Sequence, residues 1–310
     1  RGVHPLKPAR ARNKAWRNRV NQVKNQLTPW LLLLPATVLL AVFTHIPAVM
    51  TFINSFYQTP RGRRPPRFVG LDHYTTMIND PVFWAALKNN AIYALGTVPA
   101  SIALAMLMAI IVNSSIRGRS LMRMSFFLPT VLPMIAVANI WLFFYTPGYG
   151  LIDQFLGLFG FHETNWLGNP DTVLGSLMVL AIWKEAGFFM IFYLAALQQI
   201  SPTLSEAAAL EGTGRWYFFR RVTFPLLMPT TLFVLINAMI NAFRLIDHVI
   251  VMTRGGPDNA STLLLYYVYN VAFRFWDTAY ASALTVVLLL ALALIAFVQF
   301  GVLDRKVHYK

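Results

Sequence analysis

The chain has 310 residues, 57% of them hydrophobic and only 12% charged, with a formal net charge of +14 and a mean hydropathy of +0.54. A soluble domain carries about twice that share of charge, so the composition reads as a membrane protein. The absence of cysteine excludes a disulfide framework, thiol catalysis and thiolate metal sites.

In chain order, residues 1–27 come first, with eight cations and no acid. Trp16, Val20, Val23 and Leu27 recur there at helical spacing. Two readings fit: an interfacial helix on anionic lipid, or an unstructured basic tail. Beyond Lys24 the charges leave long gaps, at Lys24 to Arg61, Lys88 to Arg117, Arg123 to Asp153, Arg221 to Arg244 and Asp277 to Asp304. Each is long enough for a helix of about 20 apolar residues. A further apolar stretch, Thr172 to Ser205, is interrupted only by Lys184 and Glu185. The expectation is an all-α membrane protein with six transmembrane helices, at 29–56, 84–113, 121–145, 172–199, 223–251 and 278–303. Residues 28–310 then form one six-helix transmembrane domain behind the basic segment 1–27.

Cationic loops stay cytoplasmic. With the N-terminus inside, the inner segments hold 17 Lys and Arg and the outer ones six, four of these in Arg61 to Arg67. Both termini and the connection at about 200–222 are therefore expected in the cytoplasm. The same placement argues against nucleic acid as the partner, because the cations lie beside membrane helices and do not alternate with aromatics on a soluble fold.

Within the third helix, Pro129 and Pro133 each remove a backbone donor and are expected to bend or break it. Gly148 to Asp171 makes a longer outer connection, and Arg254-Gly255-Gly256-Pro257-Asp258-Asn259 reads as a tight outer turn; either could meet a partner. On the fourth helix Lys184 lies about 20 Å deep at 1.5 Å per residue, flanked by Trp183 and Glu185. An aromatic beside polar groups suits stacking on a sugar ring and bonding its hydroxyls. On the fifth, Asn237, Asn241, Arg244 and His248 fall on one face, with Asp247 near enough to neutralise Arg244 in part. Such a stripe faces an aqueous path or a partner helix. Lys184 and Glu185 could instead each pair with another helix, and Arg244 could reach the outer headgroups. The cations along this path suit an anionic solute.

Between the fourth and fifth helices lies Ser205-Glu206-Ala207-Ala208-Ala209-Leu210-Glu211-Gly212. Pro202 and Ser205 favour a short helix with Glu206 in its first turn, and Gly212 ends it. Two readings fit it: an ordinary Ala-rich loop helix, or a helix whose alanines let another backbone approach closely, so that it fits a groove on a partner and transmits a push. No Gly-Lys pair occurs, which excludes a P-loop, and the six histidines lack metal-helix spacing. There is no catalytic constellation and no metal site in the pattern.

Glu206-Ala207-Ala208, Gly212 four residues on, and Val222-Thr223-Phe224-Pro225 after nine more resemble the E-A-A-x-x-x-G-x9-I-x-L-P signature of binding-protein-dependent ABC importer permeases. Val222 and Phe224 are mild departures. Phe68-Val69-Gly70-Leu71-Asp72, Leu128-Pro129, Leu194-Ala195-Ala196-Leu197-Gln198 and Thr253-Arg254-Gly255-Gly256-Pro257 resemble the carbohydrate branch, from about residue 28 onward. The resemblance implies a bacterial or archaeal cytoplasmic-membrane subunit that carries an oligosaccharide or a sugar or glycerol phosphate, and the cations noted above suit an acidic member of that class. It implies a second homologous permease, two cytoplasmic ATPases that use ATP and magnesium, and an extracytoplasmic solute-binding protein. This chain would bind no cofactor and catalyse nothing itself. Glu206, Ala207, Ala208, Gly212 and Arg215 would couple it to an ATPase, and Trp183, Lys184, Glu185, Asn237, Asn241, Arg244, Asp247 and His248 would be substrate-pathway residues. The rival reading is a gradient-driven secondary transporter or channel using Lys184, Glu185 and Asp247 as ion-coupling groups.

Overall fold

The computed structural model describes residues 29–60, 65–114, 117–161 and 163–303. The basic segment 1–27, most of the Arg61 to Arg67 cluster and the tail after residue 303 lie outside these. The described part is helical, its β structure being one isolated bridge between Tyr57 and Phe68.

The chain divides into two units, meeting at Asn54 and Ser55. The first contains α1 (Pro29–Asn54). Its 26 residues span about 39 Å at 1.5 Å per residue, more than a hydrocarbon core of about 30 Å. Thr37 and Thr51 donate back to Leu33 and Pro47 carbonyls at 2.9 Å, so their hydroxyls need no outside partner in lipid. A single π turn, Ala41–His45, lies at its middle.

The second unit begins with α2 (Asp72–Ile78) and α3 (Pro81–Asn113) and continues through α4 (Arg119–Val131) and α5 (Met134–Phe144). After α6 (Leu151–Gly157) come α7 (Pro170–Gln198), α8 (Pro202–Leu210), α9 (Arg215–Phe218), α10 (Phe224–Leu226), α11 (Met228–Arg244) and α12 (Asp247–Met252). The last two are α13 (Leu264–Tyr269) and α14 (Thr278–Leu303). Among the described residues, five helical stretches are long and apolar enough to cross a membrane, and α4 with α5 supplies a sixth if counted as one span. The bend or break expected from Pro129 and Pro133 in the helix over 121–145 is formed: the pair bends by 103° at Leu132 and Pro133.

The core is built on α3 and α7, which pack along much of their length. Both start alike, on an Asx-Pro step: Asp80 accepts from the Val82 amide and Asn169 from the Asp171 amide, each at 2.9 Å, with proline in the first turn. Small residues line the contact, as lipid-embedded helices require. Ala86, Ala105 and Ala109 of α3 are fully buried, and a side chain at Gly96 would meet the Met178 sulfur.

At the end of the bundle where α3 begins, carboxylates tie the segments together. Asp80 caps α3 and accepts from the hydroxyls of Tyr280, at 2.8 Å, and Tyr267. Asp277 accepts from Thr59 at 2.5 Å and from the Tyr280 amide at 3.1 Å. In the connection after α5, Asp153 turns inward and takes the Gly148 amide at 2.9 Å and the Trp166 indole at 2.6 Å. Burial works to raise the Asp80 pKa, but the tyrosines and the amides of Val82 and Phe83 outweigh it and hold the carboxyl below its ordinary value. A depressed folded-state pKa adds stability above the unfolded carboxylate range and loses it as pH falls through the folded value. Asp80→Ala removes one cap and leaves two hydroxyls without their acceptor, so it is expected to destabilise the fold by about 2 kcal/mol or more. Thermal unfolding in detergent checks this, and the gap from the parent protein should close below about pH 3.8.

Candidate functional site

α7 and α11 present one long polar and aromatic strip. Lys184, Phe188, Phe192 and Ala195 of α7, with Gln199 at its C-cap, recur every three or four residues, as do Thr230, Phe233, Asn237 and Asn241 on α11, with Pro229 beside Thr230. Two recesses open on the strip. The smaller, about 150 Å³, is lined by Thr130, Met134, Lys184, Glu185, Phe188 and Asn241 among others. The larger, about 640 Å³, lies toward α8 and is lined by Phe192, Gln199, Leu204, Thr230 and Phe233 among others. Phe188, Phe192 and Phe233 join them, with ring centroids 5.2 Å apart for the first pair and 5.0 Å for the second.

Inside the smaller recess, Lys184 Nζ donates to the carbonyls of Pro129 at 2.9 Å and Leu132 at 2.6 Å. Glu185 has Asn241 of α11 as its polar neighbour in the recess. Each therefore pairs with a different helix, and both still border one recess. Trp183 stands apart, packed on Trp141 of α5 with centroids 5.6 Å apart. The arrangement corrects the expected aromatic platform: the rings beside the polar pair are phenylalanines of α7 and α11.

The expected face from Asn237 to His248 also needs correction. Asn237 donates to the Phe233 carbonyl at 2.8 Å and keeps the strip's register, and Arg244 stands exposed at the end of α11. The helix stops there. Leu245 is extended, with φ −84° and ψ 114°, and the chain restarts as α12. That break turns His248 into the core, fully buried, where Nε2 lies 3.1 Å from the Tyr93 hydroxyl and the rings stack. Asp247 falls in the first turn of α12, where a carboxylate meets the helix dipole.

Beyond α7, Ser201 precedes Pro202 and α8 runs nine residues with none of its side chains buried. Glu206 lies in its second turn, one turn later than expected from sequence. The C-terminus is closed by Gly212 at φ +69°: the Gly212 amide reaches the Ala209 carbonyl at 3.1 Å and the Thr213 amide reaches that of Ala208 at 2.9 Å. These are the two bonds of a Schellman motif, whose αL position glycine fills without strain. Nothing lies within 4 Å of a Cβ built on Gly212, so the requirement is conformational and not one of space. Ala207 is exposed, Ala208 partly so, and Arg215 opens α9. Of the expected site residues, Lys184, Glu185 and Asn241 come together, whereas Glu206 to Arg215 form a separate group. Sequence reasoning missed Phe188, Phe192 and Phe233, although their spacing from Lys184 and Asn237 carried the signal. The expected tight turn at Arg254 to Asn259 is formed, with left-handed backbone at Arg254, Gly255, Asp258 and Asn259, and Asn89 of α3 anchors it through the carbonyls of Asn259 and Thr262.

Residues 101–309 match the family described as the binding-protein-dependent transport system inner membrane component. The chain belongs to that family. It is thus a multi-pass permease subunit of an importer that works with a solute-binding protein. The sulfoquinovosyl glycerol transport system permease protein of Agrobacterium fabrum is 32% identical, over 85% of this chain and 86% of its own. The lactose transport system permease protein of Rhizobium radiobacter is 34% identical, over 87% and 92%. The sn-glycerol-3-phosphate permease protein of Salmonella typhimurium is 30% identical, over 93% and 97%. Among solved structures, a bacterial ABC transporter involved in import of the acidic polysaccharide alginate superposes with a TM-score of 0.81 at 22% identity, covering 94% of this chain and 99% of that one.

One packing contact bears on the permease's strip. A side chain at Gly187 would strike the Phe126 carbonyl and come within 3.2 Å of Thr130 Cγ2, so α4 and α7 meet backbone to side at this point. Gly187→Leu is expected to cost about 2 kcal/mol or more by overpacking and to reduce recovery of folded protein by size exclusion, with Gly187→Ala the milder of the two.

Proposed function

We propose that this permease is one of two homologous subunits of an ATP-driven importer of a saccharide or polyol derivative, and that its α7 and α11 strip lines half of the path. The observation that carries this reading is the continuity of the strip: polar recess, phenylalanine ladder and larger recess follow one another down to Leu204, a residue of α8. Phenylalanine faces next to Glu185, Asn237 and Asn241 supply what a sugar needs, a ring to stack on and groups for its hydroxyls. The names of the relatives, which carry sulfoquinovosyl glycerol, lactose or glycerol 3-phosphate, support that cargo class.

In this reading α8 docks on an ATPase subunit that uses ATP and magnesium, with Glu206, Ala207 and Ala208 on the contact and Gly212 fixing the exit. Both termini and α8 face the cytoplasm, as the cation count favours. The second permease covers the strip, and the binding protein delivers cargo near the Arg254 to Asn259 turn. An acidic cargo draws support from Arg244, while Lys184 spends two of its three protons on carbonyls and contributes less than the sequence suggests.

Glu206→Arg in the complex reconstituted in liposomes tests the docking. The expected result is loss of the ATPase subunits on purification, or ATP hydrolysis without uptake. Full assembly and coupling would defeat the α8 assignment, and uptake that needs an ion gradient but no ATP would move the protein to the gradient-driven carriers. For the cargo, Glu185→Gln and Asn241→Ala should each lower uptake at least about ten-fold, a hydrogen bond to a charged partner being worth 1.5–3 kcal/mol.

A further inference from the structure

We propose that Lys184 is a positioning residue that holds the third span in its broken form, supplying the hydrogen-bond donor that Pro133 lacks. In an unbroken helix the amide of residue 133 would donate to the carbonyl of residue 129. Proline has no amide hydrogen, and it drives the residue before it out of the helix. Leu132 is accordingly extended, with φ −75° and ψ 138°, and α4 ends there. The Pro129 carbonyl is left without its helical donor and that of Leu132 without a following turn. In hydrocarbon, each unsatisfied group costs several kcal/mol. Lys184 Nζ meets both, at 2.9 and 2.6 Å.

The donor comes from another helix, so repair of the break also pins α4 to α7. Its positive charge stands at the C-terminal end of α4, where the helix dipole favours a cation. Gly187, one turn along α7, admits the Phe126 carbonyl and brings α4 close enough for the ammonium to reach. Met134, the first residue of α5, lines the same recess as Lys184, Glu185 and Asn241. The position of the break therefore sets one wall of the recess. Lys184 acts on cargo through that wall.

This inference rests on the recess belonging to the path, and the test separates the two. The chain has no cysteine, so cysteines replacing Leu128 and Asn139, both exposed and on either side of the break, can carry spin labels in the assembled complex. Lys184→Met is expected to shift or broaden the label distance and to lower maximal uptake by about ten-fold, the order expected for losing hydrogen bonds to a charged donor, with little change in KM. Lys184→Arg should retain both. Pro133→Ala restores the amide, so adding Lys184→Met in that background should cost less than twofold. If Lys184→Met prevents assembly, recovery of assembly in the double variant supports the proposal and its failure overturns it. An unchanged label distance, or an equal loss of uptake in both backgrounds with raised KM for an anionic sugar, would overturn it and make the ammonium a cargo ligand. A changed distance without any effect on uptake would uphold the positioning role and remove the recess from the path.

Discussion

A helix broken at membrane depth must find other partners for its freed backbone groups, and that constraint organises the described residues around two interruptions. The first follows Val131, where Pro133 cannot donate. The second follows Arg244, where α11 ends two residues before α12 begins. At each, a polar side chain from a neighbouring helix supplies the missing donor. Lys184 serves the Pro129 and Leu132 carbonyls, and Asn90 of α3 donates to the Ala242 carbonyl at 3.2 Å while accepting from the Leu264 amide at 3.1 Å. Neither break is a local event, because each is completed by a different span.

Both donors sit on the helices that form the central pair, α3 and α7. These two are long, unbroken by loops and joined by small residues, so their mutual position is firmly set. Breaks held against such a pair can take a defined angle instead of a range of them. The smaller recess depends on both: Thr130 and Met134 flank the first break, and Asn241 and Leu245 lie at the second. A polar recess in the middle of apolar spans thus arises where helices must stop, and the groups that repair the stops are polar by necessity.

This also sets what could be read in the sequence. The span count, their approximate limits and the Gly212 closure were legible, because hydropathy gaps and glycine conformations act locally. Pro129 and Pro133 announced a break, but not its 103° bend, which depends on what receives the chain beyond Leu132. For Lys184 and Glu185, sequence gave depth and left open pairing with other helices or facing a path. The structure shows pairing, with both at the edge of one recess. His248 was misplaced because helical spacing was carried through Leu245 and Ile246, where the backbone leaves the helix. The phenylalanine ladder went unread because aromatic residues in an apolar span look like packing. The ladder emerges only when α7 and α11 are set side by side, which brings Phe192 against Phe233.

The two ends of the strip differ in stiffness, and that difference bears on how motion would pass along it. Toward α12 and α14, Asp80 and Asp277 bind the segments through charge-assisted bonds and Asn89 adds amide bonds to two carbonyls. Toward α8, contact is made through Leu204 at the edge of the larger recess, with no buried residue on the helix itself. A push on α8 would meet little resistance at its own position, yet the Schellman closure keeps it from being absorbed by unwinding. In the proposed coupling, a displacement would reach Phe192 and Phe233 and then Phe188, and meet the first break where Lys184 holds it. The described segments are tied by polar bonds at one end and lightly packed at the other, the asymmetry that the proposed coupling through α8 would use.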